Sequence, residues 1–271
     1  MTRQAVQATL SASAAAANPS IRPSGDPSQQ YVLRIADSCL ILSQRLAEWC
    51  GHAPVLEEDI ALANMALDLL GQARALLTHA GAAQGLDEDQ LAFLRDERDY
   101  RNPTLMELPR GDFAFTVLRN LVASTWFTLL WQALQQSSDA ELAAIAGKAV
   151  KESRYHRQHA ADWVVRLGDG TDESARRLRE ACAALWPYTA ELFASDAVDA
   201  HAAATGLGPD WSTLQADWHA ALAPVLAAAG VAAPQATPFR SEGRSGRHSE
   251  HMGYLLAEMQ HLQRSFPGAV W

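Results

Sequence analysis

The strongest constraint on the fold is the order of four long helical runs, with one long interruption between the second and the third. Apolar residues recur at helical spacing from Tyr31 through Leu33, Ile35, Leu40, Leu42 and Leu46 to Trp49, where Gly51 and Pro54 stop the run. A second run, about 57–80, opens on Glu57, Glu58 and Asp59, acids that favour the positive end of a helix dipole. It continues through Leu62, Met65, Leu67, Leu69, Leu70, Leu76 and Leu77, and the short turn before it makes the two runs an antiparallel hairpin. The third, about 113–136, sets Phe115, Leu118, Val122, Trp126, Leu130 and Leu134 on one face. The fourth, about 140–167, follows the N-cap sequence Ser137-Ser138-Asp139 and ends at Gly168-Asp169-Gly170. Hairpin, crossover of about thirty residues, hairpin is the layout of a ferritin-like four-helix bundle. A simple up-and-down bundle needs no such crossover.

Further helices are expected at about 172–193, 196–204, 209–229 and 249–265, after a short amphipathic piece over 90–99. No segment has strand period, so the class is all-α: a ferritin-like bundle with a long crossover and additional C-terminal helices. Residues 1–28, rich in Ala, Ser, Gln and Pro, read as a disordered tail, and 29–271 as one domain. The Gly-, Pro- and Arg-bearing loop 230–247 reads as mobile.

Composition narrows the function classes. A formal charge of −9 argues against a nucleic-acid partner. Ser11, Ser13 and Asn18 interrupt the only signal-like stretch, and no later segment holds ~20 uninterrupted apolar residues, so no membrane span is expected. Cys39, Cys50 and Cys182 lack paired spacing. They read as packing thiols of a protein in a reducing, cytoplasmic setting.

The stretch from Lys151 to His159 almost spells a metal-binding signature. Di-iron bundles use Glu-x-x-His on two helices and one Glu on each of the other two. Here Tyr155 stands three residues after Glu152, and the imidazole comes one place late, at His156. On the second helix Asn64, Asp68 and Gln72 recur every four residues, and the position three after Asp68 is Gly71. The first helix offers Asp37, Gln44 and Glu48; the third offers only the neutral Asn120, Ser124, Thr128 and Gln132. Neutral amides and hydroxyls do not balance two iron ions, whereas Lys151 and Arg45 can pair with Glu152, Asp68 or Glu48. A metal-free polar core is the favoured reading, with a solvated surface or an atypical metal site as alternatives. Glu48, Asp68, Gly71, Lys151, Glu152, Tyr155 and His156 are therefore assigned as degenerate ligand positions, with no catalytic, cofactor-binding or metal residue in this chain.

His248 and His251 near a helix start read as capping or surface groups, and His52 as a helix-end contact. Trp126, Trp131 and Trp163 read as bundle packing. Trp211, Trp218 and Trp271 are candidate anchors for a partner. Phosphate-loop, dinucleotide and nucleophile-elbow motifs are absent.

Several strings resemble the C-subunit family of the multicomponent phenylacetyl-CoA epoxidase: residues 43–54 (SQRLAEWCGHAP), 68–74 (DLLGQAR), 95–98 (RDER), 148–156 (KAVKESRYH), 168–172 (GDGTD) and 256–260 (LAEMQ). The likeness runs from about residue 31 to Trp271. It implies a complex that epoxidises the ring of phenylacetyl-CoA with oxygen, a di-iron centre and electrons from a reductase, in aerobic phenylacetate breakdown. On that resemblance the iron lies in a catalytic A subunit, this chain is its structural partner, and B and reductase subunits complete the assembly. The alternatives left open are a metal-dependent oxidase in its own right and a helical interaction module unrelated to oxygenases.

Overall fold

The computed structural model describes residues 20–234 and 238–269. Ten α-helices occur among them: α1 Pro27–Ala47, α2 Leu56–Ala82, α3 Glu88–Phe93, α4 Thr104–Glu107, α5 Phe113–Leu134, α6 Ala140–Gly168, α7 Asp172–Leu185, α8 Ala197–Thr205, α9 Gln215–Ala228 and α10 Glu250–Ser265. Strands are absent from the described residues. Helices α1 and α2 pack as one hairpin and α5 and α6 as the other. The crossover carrying α3 and α4 joins them, as the order of runs predicts.

Local chemistry sets the ends. Asp26 caps α1 by accepting from Gln29 N at 3.0 Å, with Pro27 in the first turn, where its missing N–H costs nothing. Asp112 and Asp139 cap α5 and α6 through Phe115 N and through Glu141 N and Leu142 N. Gly51, at φ 77°, takes the left-handed conformation that turns the chain from α1 toward α2, and its N–H donates to Asp59 at 2.7 Å.

Four expectations change. Residues 20–28 belong to the fold: Ile21 packs on the core and its N–H donates to Leu94 O at 3.0 Å, while α1 starts at Pro27. The tail's other residues, 1–19, lie outside the described set. The helix expected over 172–193 ends at Leu185, and Trp186–Phe193 continues as 3-10 turns because Pro187 has no N–H for an α-helical bond. In the loop read as mobile, Arg244 is buried, and a Cβ on Gly243 would meet Asn102 O at 2.5 Å. Only 235–237 of that loop fall outside the described residues. Finally, Trp211 and Trp218 are fully buried rather than offered to a partner; Trp271 is outside the described residues.

Those two tryptophans fasten the C-terminal helices to the bundle. Trp211 meets Trp126 of α5 edge-on at 4.7 Å, and Trp218 Nε1 donates to Val122 O at 3.0 Å. Buried charges bind distant segments to α1. Arg95 of the crossover pairs with Asp37, both side chains fully buried, and Arg101 N donates to the same carboxylate at 2.8 Å. Arg34 and Arg244 converge on Asp199 at 3.3 and 2.5 Å. Helices α2 and α5 both have the length and composition of a membrane span. In α5, 83% of the apolar window lies inside the protein, against 44% in α2.

Candidate functional site

The residues singled out on α2 and α6 face one another along a seam. Both are long, nearly antiparallel helices, and polar side chains every three or four residues fall on the same side of each. His156 Nε2 lies 3.0 Å from Asp68 Oδ2, and His159 Nε2 lies 2.8 Å from Glu58 Oε2. Gln72 Nε2 donates to Glu152 Oε2 at 2.9 Å, and the Gln72 carbonyl accepts from Cys39 Sγ at 3.6 Å. Lys148, one turn before Glu152, lies 3.5 Å from its other oxygen. Burial depresses the pKa of His156 and outweighs the opposing pull of the Asp68 hydrogen bond and charge. The contact is therefore a hydrogen bond from a neutral ring.

The seven assigned positions do not form one cluster. Asp68, Glu152 and His156 meet at the seam. Glu48 sits at the end of α1, 2.5 Å from Arg45, whose guanidinium also reaches Glu107 O at 2.8 and 3.0 Å. Lys151 is exposed and is not the partner of Glu152; that cation is Lys148, because a four-residue step keeps both on one face whereas the neighbouring residue points about 100° away. Tyr155 is 57% exposed, its ring 6.2 and 6.4 Å from His156 and His159, and Gly71 lies on the outer side of α2. Asp37 is committed to Arg95. Glu58, read from the sequence only as a dipole acid, is buried against His159. The pair was discoverable from His156 and His159, since residues three apart share a face.

Between the four helices is a cavity of about 10 Å3, roughly the space of one water. Leu42, Leu46, Met65, Leu69 and Phe127 line it, with Asn120, Ser124 and His156 as its polar members. The Asn120 side-chain amide has no hydrogen-bond partner among the described residues. Ser124 and Thr128 donate instead to the carbonyls of Asn120 and Ser124 one turn back, which absorbs their polarity into α5 itself. Nowhere among the described residues do three His, Cys, Asp or Glu side chains converge as a metal set. A di-iron centre calls for about four carboxylates and two imidazoles around one cavity; the cavity here offers an amide, a hydroxyl and one imidazole, and does not fit it.

A second buried polar centre lies where the crossover meets α10. Glu107 accepts from Asn102 Nδ2 at 2.9 Å and Ser249 N at 2.6 Å, and His248 Nδ1 lies 2.6 Å away. His248 is thus a buried partner of Glu107, not a surface group. Cys39 and Cys182 are buried, and burial pushes both thiols up; Cys50 is exposed and does not pack.

Comparison with known proteins decides the family. Residues 11–271 match the family described as Phenylacetic acid catabolic protein. The chain belongs to it. It is also 48% identical over 242 residues to the C subunit of the 1,2-phenylacetyl-CoA epoxidase of Escherichia coli (strain K12), a match covering 89% of this chain and 98% of that one. In this family member, then, three of the ligand-like positions on α2 and α6, Asp68, Glu152 and His156, are tied into side-chain contacts.

Proposed function

We propose that this chain is the structural C subunit of a multicomponent phenylacetyl-CoA 1,2-epoxidase. It pairs with a catalytic A subunit that holds the di-iron centre, alongside B and reductase subunits, in the cytoplasm. Its likeness to the C subunit of such an epoxidase supports membership in the complex. The observation that carries the non-catalytic part is the engagement of the would-be ligands. Asp68, Glu58 and Glu152 are taken up by His156, His159, and Gln72 with Lys148, while the small cavity between the four helices is lined mainly by Leu42, Leu46, Met65, Leu69 and Phe127. On this reading the chain does no redox chemistry and contributes a rigid bundle against which the catalytic subunit is held.

Two measurements test it. The purified chain should contain no stoichiometric iron after expression in iron-rich medium; iron lost on Asp68→Ala or Glu152→Ala would instead make the chain a metal-dependent oxidase. The catalytic subunit should be more soluble and more active when co-expressed with this chain. Equal solubility, iron content and activity without it would refute the structural role.

A further inference from the structure

A cavity of about 410 Å3 opens between the end of α7, the 3-10 turns Trp186–Phe193, the first turns of α9 and the chain that follows α9. Its size is that of pockets that take small organic molecules. The inner wall is aromatic. Trp186 and Phe193 line it, both buried, and Trp218 packs behind them with ring centroids 5.6 and 5.2 Å away. Trp218 is itself tied to α5 through Val122 O at 3.0 Å, so the wall is held in place by the fold alone. The exposed Ala183 and Ala190 line it too, and their small side chains leave the mouth open.

The polar part of the lining has one electrostatic sense. Gln215 and His219 lie four residues apart on α9 and so share a face. Both are exposed, and neither forms a hydrogen bond among the described residues. The His219 ring is oriented by edge contact with Trp218 at 5.0 Å. Arg240 brings a guanidinium to the same cavity. Thr189, the one hydroxyl in the lining, already donates to Trp186 O at 2.8 Å. The lining residues include no Asp or Glu, in a chain whose formal charge is −9. A cation with two further hydrogen-bonding side chains, and no carboxylate beside them, favours an anion and disfavours a cation. The tryptophan and phenylalanine rings favour a second flat ring, which gains from edge and offset contacts beyond simple burial.

We propose that this cavity binds a small aromatic acid, with its ring against Trp186 and Phe193 and its carboxylate toward Arg240, His219 and Gln215. All the groups involved belong to this chain, so the site is independent of the subunit reading above. It is also separate from the α2–α6 seam and needs no metal.

The test titrates the full-length chain with 2-naphthoate, followed by calorimetry, and reads the location by hydrogen exchange. One saturable site is expected, with exchange slowed over 186–193 and the first turns of α9 when it is filled. The neutral analogue 2-naphthylmethanol should bind roughly tenfold more weakly, the loss of a hydrogen bond to a charged group, and Arg240→Gln should weaken the acid by a similar factor. Decahydro-2-naphthoate keeps the charge but not the flat ring and should bind several-fold more weakly. Ala190→Trp, which fills the cavity from an exposed position, should abolish binding and leave the thermal midpoint unchanged. Arg240 is exposed as well, so its variant tests the site even if the tryptophan disturbs the fold. Absence of saturable binding of 2-naphthoate at millimolar concentration overturns the proposal. Equal affinity for the alcohol, full affinity in the folded variants, or protection confined to another part of the chain overturns it too.

Discussion

Asp37 and Arg95 illustrate how a buried charge commits a residue to one role. A lone carboxylate inside a protein is expensive, and a guanidinium matches it with two parallel hydrogen bonds. Asp37 also accepts from Arg101 N, so all its exits from isolation run to the crossover. Replacing Arg95→Met should destabilise the chain by about 3–5 kcal/mol, since an unpaired carboxylate is left behind. Replacing both partners, Asp37→Leu with Arg95→Met, should cost much less than the single change. Denaturant midpoints of the three proteins check this, and equal losses in both variants would show that packing rather than charge dominates. At the seam the scale is smaller: Asp68 is partly exposed and His156 neutral, so Asp68→Asn should shift stability by about 1 kcal/mol or less.

At the scale of elements, the tie between the crossover and α10 is a pH-dependent latch. His248 has an acceptor at each ring nitrogen, Glu107 Oε2 at 2.6 Å and Tyr100 O at 3.2 Å, and only the imidazolium satisfies both. Burial draws its pKa down, but the Glu107 hydrogen bond and charge, helped by the Tyr100 carbonyl and the charge of Glu97, raise it above the ordinary histidine range. A raised folded pKa means that the stabilisation is fully present below the unfolded value of about 6.5 and is lost as pH rises through the folded value. Thermal midpoints should therefore fall across that window in the unmodified chain and stay flatter in His248→Asn. Hydrogen exchange in the first turn of α10 should quicken over the same range; equal pH profiles for the two proteins would rule the latch out. The sequence disclosed the helices this latch connects but not the latch. Periodicity is a local signal, so the four bundle helices, α8 and α10 were legible to within a few residues. Pro187 marked a boundary that apolar spacing alone carried past. Pairings between residues far apart, Asp199 with Arg34 and Arg244 or Glu107 with His248, have no local signature. That is why the loop over 230–247 read as mobile and His248 as a surface group. The polar seam was half legible, because four-residue spacing puts Asp68, Gln72, Glu152 and His156 on inward or edge positions without saying which acid meets which base.

For the molecule as a whole, the C-terminal helices are structurally continuous with the bundle. Trp211 stacks edge-on against Trp126 and also borders Tyr31 of α1 at 6.0 Å, while the Trp218 indole bonds a carbonyl of α5. Arg244 closes the same junction from the far end of the chain, over the Trp211 ring at 4.2 Å and onto Asp199. Segments that share buried aromatic rings and a buried ion network do not unfold independently, since exposing one side strands polar and apolar groups on the other. The chain should accordingly unfold in one transition, with far-ultraviolet circular dichroism and tryptophan fluorescence coincident. Trp211→Ala should cost about 3–5 kcal/mol, the range for emptying a large core site, and should move both signals together. Two separated transitions, or a Trp211→Ala loss confined to fluorescence, would show instead that the bundle and its C-terminal helices are distinct folding units.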